Sequence, residues 1–186
     1  MSKPALIIVF PNAEDSELII VVDILRRAEI DVTTASLNDE EYITLSKKTI
    51  IKPDAKLSDV ESKDFGAIIV PGGHGVNDIL KNAKLGGLLK KYESEGKIVA
   101  AICGAPYIFT FHDVGKGGAI TSFPEKRDDI KAAGYEYSEE DVAVSKNVVT
   151  SRGPGTAFAF ALKLVELLKD KETADKVDRA VVHIQG

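Results

Sequence analysis

The stretch "KIVAAICGAPYIF", residues 97–109, contains the only cysteine of the chain. An apolar run leads into Cys103, Gly104-Ala105-Pro106 follow at once, and a second apolar run begins. A short, wholly apolar segment ending at a glycine predicts a strand buried on both faces over 97–103. Pro106 fits the first turn of a helix over 104–113, where its missing N–H does no harm. The single thiol is thereby placed where a buried strand turns into a helix.

The same alternation extends in both directions. "ALIIVF" (5–10), "DVTTAS" (31–36), "GAIIVPGG" (66–73) and "AITSF" (119–123) read as strands. "DSELIIVVDILRRAEI" (15–30), 75–96, "PEKRDDIKAAG" (124–134), "GPGTAFAFALKLVELLKD" (153–170) and 172–182 read as helices. Residues 42–52 and 142–151 read as hairpins. Apolar strands alternating with helices predict an α/β fold, a three-layer, doubly wound, mainly parallel sheet of flavodoxin-like type, with helices on both faces. Ligands bind such sheets beyond the carboxyl ends of the strands, at a switch point. Three loops there draw attention: 11–17, 71–75 and 103–106.

With 186 residues, 44% of them hydrophobic, one domain spanning 1–186 with a substantial core is expected. A net charge of −5 and no Lys/Arg run longer than two disfavour nucleic acid as a partner. No stretch is long and apolar enough for a membrane span. One cysteine cannot close an internal disulfide and no Asn-x-Ser/Thr sequon occurs, which predicts a cytoplasmic protein. His74, His112 and His183 are scattered and share no ligand spacing with the thiol, so no metal site is predicted.

A lone cysteine is most simply a small core residue. Its place on a strand-to-helix turn gives it another use, as in a nucleophile elbow. A helix starting at Gly104 would favour thiolate over thiol, so a thiol pKa below the free value of ~8.5 is expected. The N–H of Gly104 is free to meet an oxyanion. "VPGGHG" brings Gly72, Gly73 and His74 to a neighbouring loop. Glu14, Asp15 and Glu17 crowd the start of the first helix, where charge at a positive helix end accounts for at least two of them. A carboxyl held near the thiolate would be driven toward its protonated form and could exchange protons with a substrate.

"AEDSE", "DILRRAEI", "VPGG", "AAICGAP" and "TSRGPGTAFAFALKLVELL" together resemble the ThiJ/PfpI superfamily, and within it the Parkinson-disease protein branch, essentially end to end. The resemblance implies that Cys103 is an oxidisable nucleophile and Glu17 the acid bonded to it. It further implies that Gly73 and Gly104 supply oxyanion-binding amides and that Arg152 lies near the pocket. The activity implied is that of a glutathione-independent, glyoxalase III-type lyase (D-lactate dehydratase) acting on methylglyoxal or glyoxal, with a related protein or nucleotide deglycase activity. No cofactor is implied, and the assembly implied is a two-fold homodimer. The alternative is a cysteine-based redox sensor or redox-regulated chaperone. A third option, a nucleotide binder using "GPGT", lacks any nucleotide fingerprint. Where some members carry a histidine before a proline, this chain has Phe123. His74 is the substitute candidate, and Lys47 replaces an arginine that reaches the partner's pocket.

Overall fold

The structure, a computed structural model, describes residues 3–183. β1 (Ala5–Val9) leads into α1 (Asp15–Arg27), β2 (Val32–Ser36) and the strands of a small hairpin, β3 (Ile43–Thr44) and β4 (Ile50–Ile51). β5 (Ala55–Lys56) and α2 (Leu57–Val60) come before β6 (Ala67–Val70). Then follow α3 (Val76–Ile79), α4 (Ala83–Ser94), β7 (Ile98–Ile102) and α5 (Pro106–Phe111). β8 (Ala119–Ile120), α6 (Arg127–Ala132), β9 (Glu136–Tyr137), β10 (Val142–Ser145), β11 (Val148–Ser151), α7 (Ala157–Leu168) and α8 (Lys171–Ala180) complete the order.

The central sheet has the order β10-β11-β7-β6-β1-β2-β5, and only the β10–β11 pairing is antiparallel. From β1 the chain moves outward to β2 and β5, then returns to β6 on the other side of β1. The direction of winding therefore reverses between β1 and β6, the switch point of a flavodoxin-like fold. All five residues of β1 and all four of β6 are buried, which is why both read as continuous apolar runs. α1 packs on α7 and α7 on α8, while α4 covers β6 and β7. Among the described residues no helix is long and apolar enough to cross a membrane.

Three expected elements differ. In the stretch expected as a strand over 119–123 only Ala119–Ile120 pair, with β9 and outside the central sheet. Beyond them the Thr121 N–H donates to Thr150 Oγ1 (2.9 Å) and the Phe123 N–H to the Cys103 carbonyl (2.7 Å), and Pro124 stops any further ladder. The helix after Cys103 begins at Pro106, not Gly104, and has only six residues. The helix expected over 124–134 opens as a 3-10 turn, Pro124–Lys126.

Candidate active site

Cys103 sits one residue past β7 in the left-handed region, with φ 65°. A non-glycine residue there costs about 1–2 kcal/mol and persists only when its surroundings hold it. They do so from both sides. The Cys103 N–H donates to the Ser151 carbonyl (3.0 Å), and its own carbonyl accepts from the Phe123 N–H. The turn expected from sequence is thus a strained elbow with a half-buried thiol at its tip.

Glu17 reaches this elbow from the first turn of α1 and is fully buried. Its Oε2 accepts from the Gly72 N–H (2.8 Å), while Oε1 finds no nitrogen or oxygen partner among the described residues. The carboxyl also hydrogen-bonds with the Cys103 side chain. Burial raises its pKa to about 7, against the lowering effect of the Gly72 amide and the thiol. An acid poised there can give or take a proton near neutral pH.

Gly72 and Gly73 make this approach possible. A Cβ on Gly72 would lie 2.5 Å from Cys103 Cβ and 2.6 Å from Glu17 Oε2. At Gly73, with φ 106°, a Cβ would lie 2.4 Å from the Asn12 carbonyl oxygen and 2.5 Å from the Glu14 nitrogen. The loops after β1 and β6 are laced together at these glycines: the Glu14 N–H donates to the Gly72 carbonyl (2.9 Å) and the Gly75 N–H to the Asn12 carbonyl (3.2 Å). The Gly104 and Gly73 amides hydrogen-bond toward the Cys103 sulfur and favour its anion.

The expected lowering of the thiol pKa is not what the site produces. Burial first, and then the negative charge of Glu17, push the Cys103 thiol upward and outweigh the two amides. A six-residue helix starting three residues later adds little to offset them. Two anions cannot share this dry contact, so near neutrality the pair carries at most one negative charge.

A cavity of about 270 Å³ opens beside the thiol, lined by Gly73, His74, Val76, Cys103, Gly104, Phe123 and their neighbours. His74 is exposed on its rim. Arg152 is the site residue that the structure places elsewhere. Its Nη1 donates to the Glu139 carbonyl (3.2 Å) and it pairs with the Glu139 carboxylate, so Pro154 lines the cavity instead. Glu139 also pairs with Arg127. Glu14 and Asp15 do different work from Glu17. Glu14 accepts from Ser46 Oγ (2.7 Å), and Asp15 accepts from the Lys47 N–H (2.7 Å) and the Thr49 N–H (3.3 Å), so both pin the β3–β4 turn. His112 bonds the Leu80 carbonyl through Nε2 (3.0 Å) and packs over Gly86. His183 pairs with Asp178 far from the thiol. The "GPGT" loop is closed on itself, the Thr156 hydroxyl accepting from the Gly153 and Arg152 amides. Among the described residues no group of three or more His, Cys, Asp or Glu side chains could hold a metal ion.

Sequence reasoning placed Gly72 in the loop but missed its role as the bridge between acid and thiol. The doubled glycine next to a buried strand end was the available signal. Lys126 and Asn77, on the cavity rim, had none.

A profile of the DJ-1/PfpI family matches residues 3–167. Protein dj-1beta of Drosophila melanogaster is 41% identical over 184 residues, covering 98% of each chain, and its crystal structure superposes with a TM-score of 0.95 over 100% of both chains. The glutathione-independent glyoxalase DJR-1.2 of Caenorhabditis elegans is 36% identical over 176 residues, 94% of each chain. Oxidized Toxoplasma gondii DJ-1 superposes with a TM-score of 0.93 at 33% identity, covering 99% of this chain and 100% of that one. A buried acid against an elbow thiol, on this fold and with these relatives, identifies the chain as a member of the DJ-1/PfpI family.

Proposed function

We propose that this protein is a glutathione-independent glyoxalase that converts methylglyoxal and related α-oxoaldehydes to 2-hydroxy acids through Cys103, with a deglycase-type activity on the adducts of such aldehydes. The single observation that carries the proposal is the fully buried Glu17, raised to about 7 and hydrogen-bonded to the one thiol beside an open cavity. The Cys103 sulfur adds to the aldehyde carbon and the carbonyl oxygen takes up a proton, giving a hemithioacetal. While the adduct carries negative charge on oxygen, the Gly73 and Gly104 amides are placed to receive it. Glu17 removes the proton from the former aldehyde carbon and returns it to the adjacent carbon, while the hydroxyl proton passes to the neighbouring carbonyl oxygen, leaving a thioester. Water cleaves the thioester, releasing the 2-hydroxy acid and the thiol. Oxidation of one carbon is matched by reduction of its neighbour, so no external redox partner is consumed. The C. elegans relative bearing the glyoxalase name supports the same activity here.

The test is formation of lactate from methylglyoxal by wild type, Cys103→Ser and Glu17→Gln. Turnover in wild type, abolished by the first substitution and reduced about 10²–10⁴-fold by the second, is expected. Turnover unchanged in Cys103→Ser would overturn the assignment.

A redox-sensing role is the second proposal. It is favoured by a half-buried thiol with no second cysteine to resolve its oxidation, and by the oxidized state of the T. gondii relative. We also propose a two-fold homodimer, supported by Ile19, which leaves 48% of its surface exposed on α1.

A further inference from the structure

We infer that the cavity beside Cys103 selects α-oxoaldehydes bearing a flat apolar substituent, of the arylglyoxal class, over three-carbon dicarbonyls, and that Phe123 is the specificity-determining residue. The inference rests on the dicarbonyl chemistry proposed for the same thiol. A cavity of about 270 Å³ approaches the ~300–1,000 Å³ of pockets that enclose drug-sized ligands. A dicarbonyl of five heavy atoms would leave most of it filled with water.

The walls are apolar where the substituent would lie. Phe123, Val76 and Pro154 face the cavity, and Phe123 keeps 38% of its surface exposed. Its position is fixed relative to the nucleophile. The Phe123 N–H donates to the Cys103 carbonyl (2.7 Å), and Pro124 restricts the backbone that precedes it. Behind the ring, the Gly153 backbone leaves room: a Cβ there would lie 3.5 Å from Phe123 Cδ2. The backbone that carries the ring is thus tied to the nucleophile's own backbone, and the ring shares the cavity with the sulfur. Offset or edge contact between two rings adds attraction beyond area burial.

Charge on the rim does not supply a competing preference. Lys126 lies over the Tyr107 ring (5.1 Å) and shares the rim with Glu125 and Glu14, so cation and anions are interspersed. A phenyl ring offers Cys103 and Glu17 no proton to exchange. Its contribution is to bind and orient.

Two measurements separate this inference from the glyoxalase proposal. The first is kcat/KM for phenylglyoxal going to mandelate and methylglyoxal going to lactate. Phe123→Ala is expected to lower the ratio of the phenylglyoxal value to the methylglyoxal value about tenfold or more, while Phe123→Leu keeps part of the preference. The second needs no turnover. Cys103 is alkylated with phenacyl bromide and with bromoacetone, the sulfur displacing bromide, and the rate ratio is divided by the same ratio for free glutathione. A normalised ratio of about ten in wild type, collapsing toward one in Phe123→Ala, supports the inference even if no hydroxy acid forms. A wild-type ratio equal to that of glutathione, or one unmoved by Phe123→Ala, overturns it, while lactate formation would still uphold the glyoxalase proposal.

Discussion

Glu17 and Cys103 meet across a single glycine: a Cβ placed on Gly72 would lie 2.6 Å from the Glu17 Oε2 and 2.5 Å from the Cys103 Cβ. No side chain fits between them, and the Gly72 N–H donates to that Glu17 oxygen. Gly72→Ala should therefore push acid and thiol apart. Overpacking of this kind costs about 1–3 kcal/mol. A displacement near 1 Å at reacting groups costs on the order of 10²-fold in rate. A lower thermal midpoint together with lost methylglyoxal turnover is the expected pair of results. Full activity would show that the bridge is dispensable.

The raised Glu17 pKa makes stability depend on pH in a defined direction. Folded, the carboxyl holds its proton up to about 7, whereas its ordinary value is 4.5. Between those values the folded state binds more protons than the unfolded one, so stability falls as pH rises. A shift of this size is worth roughly 3 kcal/mol, absent below the lower value and complete above the higher. Glu17→Gln keeps an acceptor for the Gly72 N–H and removes the ionisation. The variant should gain stability relative to wild type between pH 5 and pH 8, measured by denaturant unfolding at each pH. A constant difference across that range would mean that Glu17 does not titrate there.

The thiol should respond to the same substitution. With burial and the Glu17 charge both opposing thiolate formation, wild-type absorbance near 240 nm should rise only at high pH. In Glu17→Gln the charge is gone, burial and the two amides remain, and the midpoint should move down. Cys103→Ser supplies the blank. An upward move would indicate that a protonated Glu17 stabilises the thiolate by donating to it.

Much of this arrangement was legible in the sequence. The apolar runs 5–10, 66–70 and 97–103 read as strands buried on both faces, and the loops that follow them were the three singled out; the strand order that brings those loops to one edge is visible only in the fold. Glu17 stood out among three neighbouring acids through the family resemblance alone. Nothing local distinguishes it from Asp15, whose partners at Lys47 and Thr49 lie more than thirty residues away. The error on the thiol has the same origin: a helix start is visible in sequence, but the depth of burial that outweighs it is a property of the packed site. The pairing of Arg152 with Glu139 was not legible either, because the two belong to separate segments.

Asp15 offers a check on the scaffold without touching the thiol. Its carboxylate fixes the β3–β4 turn through two backbone amides. Against burial, a hydrogen bond from the Thr49 side chain, followed by those from the Lys47 and Thr49 amides, holds its pKa below the ordinary value. Asp15→Ala should cost about 1–2 kcal/mol. It should also speed amide exchange at Lys47 and Thr49 while leaving the Ala5–Val9 strand protected. The wild-type turn should loosen only as pH falls through the lowered pKa of Asp15, because protonation removes the charge-assisted bonds. Uniform exchange changes across the sheet would show that the turn is coupled to global unfolding.

Oxidation of Cys103 follows from its isolation and from the groups around it. Peroxide converts the thiolate to a sulfenate and water, and a neighbouring thiol normally intercepts the sulfenic acid as a disulfide. This chain has no other cysteine, so a second peroxide can carry the sulfur to sulfinate with loss of another water. Sulfinate is an anion. The Gly73 and Gly104 amides that already favour charge on the sulfur can receive it, and a protonated Glu17 beside it can donate a charge-assisted bond. Glu17→Asp keeps the acid but shortens its reach, so sulfinate should lose its stabilisation and sulfenate or sulfonate should increase. The measurement is intact-protein mass spectrometry after graded peroxide without added thiol. Two added oxygens should dominate in wild type and less so in Glu17→Asp. Because a high thiol pKa leaves little thiolate at neutral pH, the rate should also rise with pH, and faster in Glu17→Gln. A thiol that stays unmodified at every dose and pH would leave Cys103 as a buried structural residue and would remove both the catalytic and the sensing roles proposed for it.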